Sequence, residues 1–257
     1  MIVSLIQSSV VDDKRENLAR AEALSERADG ADFIVLPEMF LCPYDTASFV
    51  KNAEPFGCEA TETLSRIAAR RNAILIGGSM PEADGGRIYN TSFVFGKSGE
   101  PIARHRKAHL FDVNVEGGQK FRESETLSAG EAATVFDTPF GRAGVCVCFD
   151  IRFSNFVNDM RADMLFVPAA FNMTTGPLHW ELLFRARAVD SQMFAFGCAP
   201  ARNSSASYVS YANSIAVDPW GRVIANAGTE ETVLNVTVDP DETKRARTQI
   251  PIGNGKQ

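Results

Sequence analysis

The sequence predicts an α/β protein built as a four-layer α-β-β-α sandwich. Three observations carry this. Short apolar, β-branched runs alternate with amphipathic stretches of helical spacing. The order β-α-β-α-β-β is read twice along the chain, as a repeat of topology and not of residues. The strand runs carry almost no charge, so they need cover on both faces: helices outside and a second sheet inside. A chain of 257 residues is long enough to bury such a core, and one domain over 1–257 is expected.

In the first half, IVSLIQ (2–7) reads as the opening strand. Asp12 and Asp13 begin a polar stretch reaching about Asp29, with Leu18, Ala21, Leu24 and Ala28 on one face, an amphipathic helix that Gly30 stops. DFIVLP (32–37) is a short buried strand ended by Pro37, and Glu38 follows directly. A helix over about 60–71 carries Leu64, Ile67 and Ala68 inward. AILIGG (73–78) is the next strand, and 89–95 hairpins with the segment after Lys97-Ser98-Gly99-Glu100.

In the second half, 143–148 is a strand ending on Cys148. Phe153, Phe156, Val157 and Met160 follow at helical spacing, and MLFVP (164–168) is a strand. A helix over 179–190 places Trp180, Leu183, Phe184 and Ala188 on one side. Strands are expected at 193–198, 213–218, 222–226 and 233–238, with a turn at Pro219-Trp220-Gly221. The charged tail from Asp239 is expected on the surface or on a neighbouring subunit.

Composition narrows the function. The chain is 45% hydrophobic and 23% charged with a net charge of −6. That balance argues against nucleic-acid and anionic-membrane partners, which favour basic surfaces. No apolar run reaches the length of a membrane span. Five widely spaced cysteines, with no basic leader before the first strand, do not form a secreted disulfide framework, and a cytoplasmic location is expected.

The stretch GRAGVCVCFDIRF (141–153) holds the strongest chemical signal. A thiol where a strand ends and helix N–H groups begin is well placed to make and hold a thiolate. Cys148 is therefore a candidate nucleophile, the alternative being a core cysteine. Cys146, two residues earlier and interior to the strand, reads as packing. Glu38 sits in apolar company, where desolvation raises a carboxyl pKa and suits it to proton transfer. Lys107 lies in a basic run, ordinarily a solvated face, that turns at once into apolar LFDVNV. A lysine drawn inward there stabilises an oxyanion. His105 and His109 stand at i, i+4 without the glutamate of a zinc helix, so no metal and no cofactor is expected. Glu123 is a further carboxylate beside an aromatic residue. The carboxylate of an acidic substrate calls for an arginine, and Arg152, Arg185, Arg187 and Arg202 are candidates. Tyr44, Phe171 and Asn172 are candidate pocket walls, and Thr174 and Thr175 candidate hydroxyls.

Taken together, LPEMF, RKAHLFD and VCVCFDIRF resemble the glutamate, lysine and cysteine segments of the nitrilase superfamily of carbon–nitrogen hydrolases, in the same order. The resemblance runs from about Ile2 to Pro251. FRESETLSAG, FNMTTGPLHWELLFRARAVD and APARNSSASYVSYANSIAVDPWG narrow it to the ω-amidase branch. It implies the α-β-β-α fold and assembly as a homodimer or higher oligomer. It implies Cys148 as nucleophile, Glu38 as general base, Lys107 as stabiliser of the tetrahedral intermediate and Glu123 as the second active-site glutamate. The backbone N–H of Phe149 is the expected oxyanion partner. The implied substrates are small α-keto acid amides, α-ketoglutaramate and α-ketosuccinamate. Rival substrates are deaminated glutathione or an N-carbamoyl amine, and a rival class is a catalytically silent binding protein of the same fold. The chain departs from the family at Cys146, at Phe149, at Phe-Ser-Asn after Arg152 and in the loop VEGGQKF.

Overall fold

The computed structural model describes residues 1–252. In chain order the elements are β1 (Ile2–Gln7), α1 (Lys14–Ser25), β2 (Phe33–Val35), α2 (Thr46–Lys51), α3 (Glu59–Arg71), β3 (Ile74–Ile76), β4 (Met80–Asp84), β5 (Arg87–Phe95), β6 (Pro101–Arg106), β7 (Asp112–Asn114), β8 (Lys120–Arg122), β9 (Thr134–Thr138), β10 (Gly141–Val145), α4 (Ser154–Asn158), β11 (Met164–Pro168), α5 (Gly176–Ser191), β12 (Phe194–Cys198), β13 (Ile215–Val217), β14 (Val223–Asn226), β15 (Thr232–Thr237) and α6 (Asp241–Gln249). One turn of 3-10 helix spans Cys148–Arg152 and another spans Glu123–Glu125.

The strands form two large sheets and a small ribbon. The first sheet runs β15-β1-β2-β3-β5-β4 with β6 on β5. The second runs β14-β13-β12-β11-β10-β9, and β7 pairs with β8 apart. Within each sheet the central strands (β1-β2-β3 and β10-β11-β12) are parallel, so their C-terminal ends share one edge. Three apolar clusters define the layers. Leu18, Ala21, Leu64 and Ile67 of α1 and α3 pack on Ile34 and Leu75 of the first sheet. Trp180, Phe184 and Ala188 of α5 pack on Leu165 and Ala195 of the second. Between the sheets lie Val3, Leu5, Phe33 and Val35 against Val145, Phe166, Phe196 and Cys198. The expected sandwich is the one observed. Alternation alone explains it: residues of β2 point in turn to the helices and to the other sheet.

Boundaries shift locally. α1 starts after Asp13, whose side chain accepts from the N–H groups of Arg15 and Glu16, and it ends at Ser25, before Gly30. The strand expected to reach Cys148 stops at Val145, and the chain then enters the 3-10 turn. The strand at 233–238 crosses to the first sheet, where β15 pairs antiparallel with β1. The tail from Asp239 forms α6, which docks on its own chain: Arg247 pairs with Asp163 at 2.6 Å, and Gln192 Nε2 donates to Ile250 O at 2.6 Å.

Candidate active site

The site is built where the C-terminal ends of the two sheets' parallel strands meet. Glu38 follows Pro37 just beyond β2, and Met39 turns the chain with φ 51°. The loop after β3 holds this turn: Ser79 N donates to Pro37 O, and Met39 N donates to Ser79 Oγ, each at 3.1 Å. Gly78 makes the approach possible, because a Cβ there would sit 2.2 Å from Pro37 O. Lys107 directly follows β6, anchored by its N–H to Asn90 O at 2.8 Å. Cys148 opens its 3-10 turn with φ 48°, a left-handed conformation costing roughly 1–2 kcal/mol for a residue with a Cβ.

These elements bring Glu38, Tyr44, Lys107, Glu123 and Cys148 together. Lys107 Nζ donates to Glu38 Oε1 at 2.9 Å, to Glu123 Oε1 at 3.0 Å and to Tyr44 OH at 3.3 Å. Tyr44 OH donates to Glu123 Oε1 at 2.6 Å. Glu38 Oε1 also accepts from Asn90 Nδ2 at 2.9 Å, and Oε2 accepts from the Ala170 N–H at 2.8 Å. Phe111 N–H donates to Glu123 Oε2 at 2.6 Å. Lys107, Glu38 and Glu123 are all buried, and the Cys148 thiol faces Glu38.

Two buried carboxylates share one buried cation, and the electrostatics follow. Burial pushes Glu38 up, opposed by Lys107 and reinforced by Glu123. Burial alone would lower Lys107, but Glu123 and Glu38 outweigh it and hold the ammonium charged. Cys148 is raised well above an ordinary thiol, first by burial and then by Glu38, with Lys107 opposing. The sequence pointed to a thiolate held at the turn. The structure instead favours a thiol beside a carboxylate of raised proton affinity, because desolvation outweighs the short turn's N–H groups.

Around Cys148 lies a small pocket lined by Phe111, Phe149, Arg152, Ala170, Phe171, Thr175 and Tyr208. The Arg152 guanidinium lies over Phe149 and Phe171, 5.5 and 5.2 Å from the ring centroids. Its terminal nitrogens contact His179 Nδ1 at 3.2 and 3.3 Å, and its Nε has no partner among the described residues. Among the described residues no carboxylate pairs with it, and burial lowers its pKa from the usual value.

Other expected contacts fall elsewhere. Thr174 packs against Gly118 and does not line the pocket; its neighbour Thr175 does. Asn172 is buried and does not line it either. Its Oδ1 accepts from the N–H groups of Thr174 and Thr175 at 2.9 and 3.2 Å, which sets the entry to α5, and its Nδ2 has no partner among the described residues. Arg202 is turned away: it donates to Tyr211 O at 2.8 Å and lies over that ring. Arg185 bonds Gly221 O, and Arg187 bonds Ile151 O and Asp190. Cys146 is fully buried in the cluster beneath α5.

Three participants escaped the sequence reading. Asn90 lies within a strand and carries no chemical signal in the sequence, yet it is buried against Glu38. Asp150 is fully buried and accepts four hydrogen bonds: from Val147 N at 3.0 Å, from His105 Nε2 at 2.9 Å, and from His109 N and Nδ1, both at 2.8 Å. It ties the turn of Cys148 to both flanks of Lys107. His105 and His109, at the i, i+4 spacing of a zinc pair, both serve this carboxylate. Tyr208 closes the pocket, its OH donating to Ala170 O. The one available signal was spacing: Asp150 lies two residues past Cys148, and the histidines lie two either side of Lys107.

The carbon-nitrogen hydrolase family model matches residues 2–248. The chain is 48% identical to the omega-amidase NIT2 of Xenopus tropicalis over 255 residues, covering 97% of this chain and 92% of that one. It is 43% identical to the omega-amidase NIT2 of Homo sapiens over 260 residues, covering 99% and 94%. Among solved structures it superposes on Nit3 of Saccharomyces cerevisiae, a member of branch 10 of the nitrilase superfamily. The TM-score is 0.90 at 39% identity, covering 99% of this chain and 96% of that one. With the family model spanning nearly all of the chain and relatives this similar over their length, the protein belongs to the carbon-nitrogen hydrolase family.

Proposed function

We propose that the protein is a cysteine-dependent ω-amidase acting on the terminal amide of short α-keto acid amides, α-ketoglutaramate and α-ketosuccinamate. The observation that carries this reading is a guanidinium without a carboxylate partner, Arg152, in the same pocket as a thiol that faces a buried glutamate. An α-keto acid amide has a carboxylate at one end for Arg152 and an amide at the other for Cys148. The names of the similar ω-amidases support it.

In this mechanism Glu38 takes the Cys148 proton as sulfur attacks the amide carbon. Moving that proton onto Glu38 relieves the two-carboxylate crowding around Lys107 and puts the negative charge on the reacting atoms. Lys107 has three N–H donors; two are fixed by Glu38 and Glu123, and the third makes the longest contact, 3.3 Å to Tyr44 OH. That donor turns to the oxyanion together with the Phe149 N–H, each donor contributing about 3 kcal/mol. Protonated Glu38 then gives its proton to the leaving nitrogen, which departs as ammonia. Water attacks the thioester with Glu38 again as base, releasing the dicarboxylate and restoring the thiol. Glu123 acts by holding Lys107.

The test is ammonia release from α-ketoglutaramate against deaminated glutathione and an N-carbamoyl amine. Preferred turnover of the keto amide, with Arg152→Met raising KM about tenfold or more, is the expected result. Turnover of only the bulkier amides would overturn the substrate assignment.

Two further parts of the reading have their own support. α5 exposes Leu178 and Leu182, one turn apart, at 71% and 63%, with Val189 further along. That face suits a second copy of this chain, and a homodimer by light scattering, broken by Leu182→Glu, is the expected result. All five cysteines are free, which fits a reducing cytoplasm.

A further inference from the structure

Two cavities meet at Tyr208. The pocket over Cys148 has a free volume of only about 10 Å³, room for at most one water. Beside it lies a chamber of about 370 Å³, largely apolar, with Val10, Val11, Met39, Pro43 and Ala201 in its wall and with Glu38 and Tyr44 of the buried cluster bordering it. The two linings have only Ala170 and Tyr208 in common. Ala170 contributes backbone that is already engaged: its N–H donates to Glu38 and its carbonyl accepts from Tyr208. The ring of Tyr208 is therefore the shared side chain of the two linings, standing in the wall beside Glu38 and Tyr44, which border the chamber only.

That ring is held as a plate. It stacks on Tyr44 at 4.5 Å between centroids, with the planes 27° apart. Just after it the chain is tied across the site: Ser210 bridges Asn172, and the Tyr211 N–H donates to Phe171 O at 2.6 Å. Just before it, residues 203–205 and 207 are exposed and lie outside any helix or strand. A short, unbranched acyl chain held between Cys148 and Arg152 needs this pocket to open only by the width of the chain. A branch on that chain facing Tyr208 meets the ring, and the space on the far side is already formed.

We propose that Tyr208 is a specificity-determining partition: its ring closes the apolar chamber off from Cys148 and confines the enzyme to short, unbranched acyl amides. Without the ring, the chamber becomes a second acyl subsite for amides bearing an aryl or branched alkyl group. This rests on the assignment of Cys148 as nucleophile and not on the identity of the substrate.

Two readouts test it. One is the rate of Cys148 alkylation by N-benzyliodoacetamide relative to iodoacetamide, followed by peptide mass. The other is ammonia release from the phenyl-substituted monoamides of succinate relative to succinamate. Tyr208→Ala is expected to raise both bulky-to-small ratios by roughly 10- to 100-fold, whereas Tyr208→Phe, which keeps the ring, leaves them near the wild-type value. Ala206→Phe added to Tyr208→Ala refills the chamber from its other wall and brings the ratios down again. Should Tyr208→Ala fail to fold, Tyr208→Leu, which keeps apolar bulk, is read in its place. Ratios within about twofold of wild type in the folded variant would overturn the partition. If wild type releases no ammonia from α-ketoglutaramate, the substrate assignment falls, and the alkylation ratio still decides the partition.

Discussion

Replacing Asp150 by asparagine tests whether this buried carboxylate holds the turn of Cys148. Burial by itself would raise its pKa, but hydrogen bonds from His105 and His109 outweigh that and hold it at about 2, against 3.8 for an ordinary aspartate. A depressed folded-state pKa gives stability that is present above the unfolded value and is lost as pH falls through the folded one. The shift is worth about 2 kcal/mol, with about half lost by pH 3. Asparagine has nearly the same shape but no charge, and its amide group faces donors that need an acceptor. At neutral pH the variant should be less stable by roughly 2–4 kcal/mol. The assay is urea unfolding of both proteins at pH 6 and pH 3. Other carboxylates titrate alike in the two and cancel. The gap should narrow by about 1 kcal/mol at pH 3. A gap that stays constant or widens would refute the account. Because Asp150 fixes the Val147 N–H ahead of Cys148, kcat should also fall by about 10- to 100-fold with KM little changed.

Two further substitutions probe the cluster itself. Cys148→Ala should abolish ammonia release, by at least about 10⁴-fold, while thermal unfolding stays near wild type because only one buried sulfur is removed. Retained turnover would exclude Cys148 as nucleophile. Lys107→Met should abolish activity and also cost roughly 3–5 kcal/mol, since Glu38 and Glu123 lose their shared counter-charge. Adding Glu123→Gln should recover part of that stability, measured by urea midpoint. A Lys107→Met variant as stable as wild type would show that the carboxylates are compensated otherwise.

The sequence by itself determined whatever is encoded locally. Alternating patterns in 2–7, 32–37 and 164–168 specify strands, and the apolar faces of 60–71 and 179–190 specify helices, because side-chain periodicity is a property of a few consecutive residues. The four-layer sandwich followed, since strands apolar on both faces admit few ways of being covered. The segments of Glu38, Lys107 and Cys148 were legible for the same reason, each being a short run of distinctive composition, whereas Glu123 stood out only through the family resemblance. Tertiary structure alone decided which groups meet. The Ala170 N–H reaches Glu38 across 132 positions, Asn90 across 52, and His105 reaches Asp150 across 45. No local pattern records such separations. It also decided between neighbours: Thr175 lines the pocket and Thr174 does not, because Asn172 captures both N–H groups and sets the start of α5. Among the described residues Arg152 is free of carboxylates while Arg187 and Arg202 are occupied. The stretch around Cys148 looked suited to a thiolate, but burial beside Glu38 favours the thiol. Charge state depends on desolvation and on partners brought in from elsewhere in the chain, and both exist only once the two sheets have packed together.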